Sequence, residues 1–137
     1  MIFVDSSCWF ASLFEGDRHH ARAKALLNSA TDGFVTSDHV VVETWLLTHS
    51  RFNFHYAQTF WRSWAATGTR PALTEMADLI LADEIAARFS DQTFSIVDRT
   101  SFAVMERLGI SRVISFDDDF VIYRFGPDKS RAFEVLR

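Results

Sequence analysis

Four carboxylates in this chain sit where a carboxylate is costly. Asp5 ends the apolar run Ile2-Phe3-Val4 and is followed by Ser6 and Ser7. Glu43 lies in Val40-Val41-Val42-Glu43-Thr44-Trp45-Leu46-Leu47, with Val40 and Leu47 flanking it at helical spacing. Asp98 lies in Ser95-Ile96-Val97-Asp98-Arg99-Thr100-Ser101-Phe102, and Asp117 follows Arg112-Val113-Ile114-Ser115-Phe116. A buried carboxylate must be compensated, and two of them about 4 Å apart repel by roughly 4 kcal/mol at an effective dielectric of 20. Four converging acids would raise one another's pKa values, and a hard divalent cation reverses that penalty. Oxygen-only donors favour Mg²⁺ or Mn²⁺ over Zn²⁺. The five histidines show no zinc-ligand spacing: His19 and His20 read as loop residues, and His39, His49 and His55 as surface or packing residues. An open Mg²⁺ site suits phosphate chemistry, since the ion lowers the pKa of a bound water and offsets charge on a leaving oxygen. Ser7, Ser101 and Ser115 are placed to orient ligands or waters.

Those acids need elements to hold them. Short apolar strands alternate with longer helical stretches, which predicts an α/β fold. It is a single three-layer domain over residues 1–137, with a short, mostly parallel β-sheet flanked by helices. Strands are predicted at 2–4, 34–36, 112–116 and 132–136, with a short edge strand at 72–73. The first helix holds Trp9, Phe10, Leu13 and Phe14 and closes at Gly16. Asp17 is predicted to cap a second helix with Ala23, Leu27 and Ala30 on one face, and Asp38 a third running to about Ser50. Asn53 caps a fourth, with Ala57, Phe60, Trp61 and Trp64 on one side. Thr74 caps a helix over 75–89, Thr93 opens one that Gly109 ends, and a helical turn lies at 118–123. Ligands in such sheets bind beyond the C-terminal strand ends. Asp5 and Asp117 follow strands directly, and Glu43 and Asp98 lie near helix starts, so all four can face one crevice.

Composition narrows the classes. The chain has 137 residues, 48% hydrophobic and 23% charged, which fits one globular domain with a proper core. No apolar run reaches the roughly 20 residues that span a bilayer. The N-terminus has no basic region before its apolar residues, so it does not read as a signal peptide. The single Cys8, between Ser7 and Trp9-Phe10, reads as a small buried residue, and a cytoplasmic setting is expected. Net charge is −4, but setting the four acids aside leaves 14 acidic against 14 basic residues, twelve of them arginine. Charge therefore neither supports nor excludes a nucleic-acid partner. No Walker lysine, glycine-rich loop or Gly-x-Ser-x-Gly setting is present.

In order and spacing, Ile2-Phe3-Val4-Asp5-Ser6-Ser7, Glu43 in Val-Val-Val-Glu-Thr, Ser95-Ile-Val-Asp98-Arg-Thr-Ser-Phe-Ala-Val-Met and Ile114-Ser-Phe-Asp117-Asp-Asp-Phe120 resemble the PIN-domain ribonucleases. Within them, the resemblance is to the VapC-like toxins of bacterial toxin–antitoxin pairs, and it covers nearly the whole chain. It implies a Mg²⁺- or Mn²⁺-dependent endoribonuclease with Asp5, Glu43, Asp98 and Asp117 as its acidic set, a homodimer, and inhibition by a cognate antitoxin protein. Phe120, three residues after Asp117, sets the register of the fourth acid; Asp118 and Asp119 are then expected to be solvated. Arg99, beside Asp98, is a candidate for holding the RNA backbone. The aromatic stretch from Phe52 to Trp64 exceeds what one helix face needs, and part of it is expected to form a dimer or antitoxin surface. The competing readings are a noncatalytic PIN-like binding module and a DNA-directed metal-dependent nuclease. A phosphoacceptor signalling domain fails on its own requirements: the first strand ends in Asp5 alone, and neither Lys24 nor Lys129 follows a late core strand.

Overall fold

Strand β1 (Ile2–Val4) shows how one segment organises the molecule. Its side chains alternate between sheet faces. Phe3 enters a large core layer with Val40, Ile85, Phe102 and Met105, whereas Ile2 and Val4 enter a smaller one with Cys8, Ala11, Ala23 and Leu26. Strand β3 (Arg112–Ile114) repeats the pattern, with Val113 in the large layer and Ile114 in the small one. These two strands sit at the centre of a four-stranded sheet ordered β2-β1-β3-β4, where β2 is Phe34–Val35 and β4 is Glu134–Leu136. Every pairing is parallel. The computed structural model describes all 137 residues.

Helices α1 (Ser6–Leu13) and α2 (His20–Ser29) cover the smaller layer. On the other side lie α3 (Asp38–Arg51), α5 (Met76–Arg88) and α6 (Ile96–Leu108). Helix α4 (Phe54–Ala66) packs on α3, and α7 (Asp119–Ile122) follows β3. The expected three-layer α/β architecture is therefore observed. Helix α6 is the most enclosed: Thr100 through Met105 are all buried, because neighbours surround it. Phe102 stacks on Tyr123 with ring centroids 4.2 Å apart. Tyr123 sends its hydroxyl to Glu106 Oε1 at 2.5 Å, a bond that together with burial holds the phenol proton in place.

Several boundaries differ from the sequence expectation, each for a local reason. Ser37, not Asp38, caps α3, its Oγ accepting from the Val40 amide; Asp38 instead accepts from the Thr74 amide and hydroxyl, tying two loops together. Thr74 therefore does not cap α5, whose first turn is closed by the Glu75 amide donating to Asp78 Oδ2 at 2.8 Å. Helix α6 starts at Ile96 rather than near Thr93, because Ser95 and Asp98 form a reciprocal capping box. Helix α2 begins at His20 with His19 as its cap residue, and it buries Ala23 and Leu26, with Leu27 and Ala30 only half-buried. Helix α1 ends at Leu13 with Phe14 as its cap, before Gly16. The proposed edge strand at 72–73 is a single bridge from Ala72 to Ser37. Strands β3 and β4 are shorter than expected, and β2 ends at Val35. Gly109 does end α6, at a φ of 67° that glycine adopts without steric cost.

One partly buried ion pair joins α5 to α6. Asp78 is 2% exposed, and Arg107 reaches it with Nε at 3.0 Å and Nη2 at 2.9 Å. The same Arg107 donates to the Leu73 carbonyl at 2.8 Å. Removing the guanidinium would leave the buried Asp78 carboxyl with the Glu75 amide as its one remaining partner. Arg107→Ala is expected to destabilise the protein by about 2–4 kcal/mol in urea denaturation. The exposed pair Arg88–Glu84 serves as the control, and Glu84→Ala should cost under about 0.5 kcal/mol.

Candidate active site

The C-terminal ends of β1 and β3 open into one acidic cleft. Asp5 follows β1 and prolongs its ladder, its amide donating to the Ile114 carbonyl at 3.1 Å. Its side chain both caps α1 and anchors the site. Oδ2 accepts from the Ser7 hydroxyl at 2.7 Å, the Ser115 hydroxyl at 3.0 Å and the Ser7 amide at 3.3 Å. All three of these bonds fall on one oxygen, and the Ser6 amide also draws on the carboxyl. Ser115 Oγ in turn accepts from the Asp117 amide at 3.1 Å, and Ser7 Oγ accepts from the Phe116 amide at 3.0 Å. The segment carrying Asp117 is thus fastened to Asp5 through two hydroxyls.

Asp98 enters from the first turn of α6, where the capping box holds its Oδ2 on the Ser95 amide at 2.9 Å. Asp119 begins α7, its amide accepted by Asp117 Oδ1 at 3.0 Å. These three residues each contribute one carboxylate oxygen to a group lying within 4.8 Å of one another. An octahedral Mg²⁺ spans about 4.2 Å between opposite oxygen ligands, so the trio fits such an ion with a small contraction. The all-oxygen donor set suits Mg²⁺ or Mn²⁺.

Electrostatics agree with the geometry. Burial pushes Asp98 up from 3.8 to about 7, and the charge of Asp5 adds to it. Asp98 lies against Asp119, and that contact raises Asp98 further while drawing Asp119 down. Asp119 is itself raised by burial and by the charge of Asp117. Asp5 is raised by burial, against the pull of its serine donors. Glu43, half-buried on α3, is raised by burial and by the charges of Asp5 and Asp117, while the Ser6 hydroxyl draws it down. Of the four acids singled out from sequence, Asp5 acts on Asp98 and Glu43 and Asp117 acts on Glu43, but only Asp98 and Asp117 belong to the tight trio; Asp5 and Glu43 both stand outside it.

Three expectations need correction. Asp119 is not a solvated neighbour of the site but a member of the trio; the turn after Asp117 starts α7 and swings Asp119 back toward Asp98. Asp118 is solvated as expected, and it pairs with Arg137 at 2.6 Å. Arg99 does not face the cleft: Nη1 donates to the Ala82 carbonyl at 2.8 Å and Nε to the Phe94 carbonyl at 3.3 Å, making it a strut between α5 and α6. Ser101 is fully buried with no hydrogen-bond partner for its Oγ, so it orients none of the acids. Ser7 and Ser115 do position an acid, namely Asp5. The signal that could have found Asp119 is its spacing, two residues beyond Asp117, the reach of an Asx-type turn. Cys8 is a buried thiol pushed up to about 12 by burial and by Asp5, which makes it unreactive.

With this geometry in place, comparison with known proteins is decisive. The PIN domain pattern matches residues 2–126. This chain belongs to the PIN domain family. A relative in Mycobacterium tuberculosis, strain H37Rv, named 23S rRNA-specific endonuclease VapC20, is 37% identical over 126 residues, covering 88% of this chain and 92% of the relative. The same-named protein of strain CDC 1551 / Oshkosh matches equally. The crystal structure of Mycobacterium tuberculosis VapC20, described as a Sarcin-Ricin loop cleaving toxin, superposes with a TM-score of 0.82 at 36% identity, covering 88% of this chain and 93% of that one. No helix of this PIN domain is long and apolar enough to cross a membrane.

The raised acids make the metal-free fold sensitive to pH. Between the unfolded carboxyl value of about 3.9 and about 7, native Asp98 keeps a proton that the unfolded chain has released, so stability falls as pH rises through that window. In chelator, the urea midpoint should be lower near pH 7.5 than near pH 5, by on the order of 3 kcal/mol of stability. Asp98→Asn should flatten that slope, and Mn²⁺ at neutral pH should restore the lost stability by binding the native state alone.

Proposed function

We propose that this PIN domain is the toxin of a toxin–antitoxin pair, an endoribonuclease that hydrolyses an RNA phosphodiester bond with Mg²⁺ or Mn²⁺. The observation that carries this reading is the trio of Asp98, Asp117 and Asp119 oxygens, converging beside Asp5 at the C-terminal edge of the sheet. Asp98, Asp117 and Asp119 are assigned as the residues that hold the ion, with Asp5 and Glu43 completing its surroundings. When bound, the ion supplies a water acidified toward neutral pH and offsets charge on the leaving oxygen. Asp5 contributes a carboxyl group whose position the two serine hydroxyls determine. Glu43 carries a raised carboxyl outside the trio, which suits it to take the proton released by an attacking water.

The substrate we assign is 23S rRNA, at its sarcin–ricin hairpin. The support is the 37% identity and near-complete coverage of a relative with that printed specificity. The antitoxin and a second copy of this chain are the protein partners we assign. Val42, Leu46, Phe54 and Trp61 on α3 and α4 are exposed apolar residues, as are Met76 and Ile80 on α5, which leaves two faces suited to protein contact. A cytoplasmic setting suits both the substrate and the single buried thiol.

A sarcin–ricin RNA hairpin incubated with the protein is expected to be cut at one bond in Mg²⁺ or Mn²⁺ and left whole in chelator. Asp119→Asn should lower the rate by about 100-fold or more, as should Asp98→Asn. Asp118→Asn, which removes an exposed pair with Arg137 and the weakest of the charges acting on Asp119, should stay within about fivefold of wild type. Cleavage by Asp98→Asn at the wild-type rate would overturn the assigned site. A DNA hairpin cut as fast as the RNA would overturn the assigned substrate class, and absence of metal binding in calorimetry would overturn the catalytic reading.

A further inference from the structure

Beside the acidic cleft lies a pair of rings that carboxylate chemistry does not use. The imidazole of His19 lies flat on Phe116, with centroids 4.3 Å apart and planes 5° from parallel. Phe116 is the chain neighbour of Asp117, about 3.8 Å away between Cα atoms. Its amide donates to Ser7 Oγ, the Asp117 amide donates to Ser115 Oγ, and both hydroxyls donate to Asp5. The ring pair and the acids are therefore parts of one hydrogen-bonded piece. Phe116 also packs on the smaller core layer, which anchors the stack, while both rings remain half-buried rather than enclosed.

The loop before α2 is braced so that His19 reaches this position. Asp17 Oδ1 accepts the His19 amide at 2.7 Å, and the His20 ring lies 2.8 Å from the Ala11 carbonyl through Nδ1. His19 is the cap residue of α2, yet its side chain makes no capping bond. Instead Nε2 accepts from Arg18 Nε at 3.0 Å. A guanidinium only donates, so the imidazole proton sits on Nδ1, where no protein acceptor meets it. Arg18 is exposed and forms no ion pair with any acid. A flat ring pair, an unspent N–H and a free guanidinium thus stand together one residue from the acids. That combination matches an unpaired nucleotide: a π-face for the base, a donor for its edge, and a cation for its phosphate.

We propose that His19 and Phe116 form a nucleobase platform on which an unpaired base next to the scissile phosphate stacks, with Arg18 on the adjoining backbone phosphate. This rests on the RNA-cleaving reading above. It makes His19 a specificity-determining residue, since a base seated there sets which phosphate lies over the acids.

The test uses the sarcin–ricin hairpin and a series of the same hairpin with one base at a time removed around the cut. His19→Leu is expected to raise KM by roughly 5- to 100-fold with kcat little changed, and His19→Phe, which keeps a flat ring, to recover most of it. One abasic position should cost the wild type a similar factor and cost His19→Leu nothing further, because base and ring contribute only together. Phe116→Leu, with its denaturation midpoint measured to separate packing from recognition, should behave like His19→Leu on both RNAs. The platform is overturned if His19→Leu loses the same factor on every abasic hairpin as on the intact one, or if His19→Phe recovers nothing. A wild-type protein that cuts no RNA would instead remove the functional reading, and this inference with it.

Discussion

The structure turns on the cost of crowding negative charge at the edge of a small parallel sheet. Asp5 is 3% exposed and lies beside Asp98, whose carboxyl burial has pushed into the neutral range. No arginine or lysine forms an ion pair with Asp5, Asp98, Asp117 or Asp119; Arg107 pairs with Asp78, and Arg137 with the neighbouring Asp118. What the chain supplies instead is hydroxyl and amide donors, concentrated on one oxygen of Asp5. Such donors fix a carboxylate in place without neutralising it. A site built this way is unfavourable when empty and is relieved by a divalent cation, so affinity for the ion and the pH sensitivity of the fold have one origin.

The remainder of the fold holds these groups against their repulsion. Strands β1 and β3 lie side by side in parallel, so their C-terminal ends, and hence Asp5 and the segment after Ile114, emerge together. Helix α6 is buried along most of its length, which fixes the depth at which its first turn presents Asp98. The capping box that starts α6 uses Asp98 itself, so a residue of the helix's first turn also faces the acidic cleft. Arg99 and Arg107 are both committed to joining α5 and α6. The arginines of this helix thus act on the scaffold rather than on the cleft.

Legibility from sequence followed the range of the interaction involved. The strands and most helices were readable because alternation in Ile2-Phe3-Val4 and helical spacing in residues 94–108 are properties of adjacent residues. The caps were misplaced by one or two positions where two polar residues competed. Ser37 took the role expected of Asp38, because Asp38 was drawn off by Thr74, 36 residues away. Asp5, Glu43 and Asp98 could be singled out because each interrupts an apolar run. Asp119 offers only its spacing from Asp117 as a signal, since among three consecutive acids the direction of the following turn separates the one facing Asp98 from the one facing Arg137. The role of Arg99 failed similarly: adjacency to Asp98 along a helix places the two side chains on different sides.

Sequence alone determined the layered α/β class, the family, and which apolar segments carry an out-of-place acid, because these depend on residue type and spacing along the chain. Tertiary structure decided which of the acids share a single cation-sized space, which hydroxyls tether them, and that His19 lies on Phe116, 97 residues later. Those outcomes depend on where separate segments end in space, and on the final angle of a turn. A local pattern of amino acids carries no record of such distances.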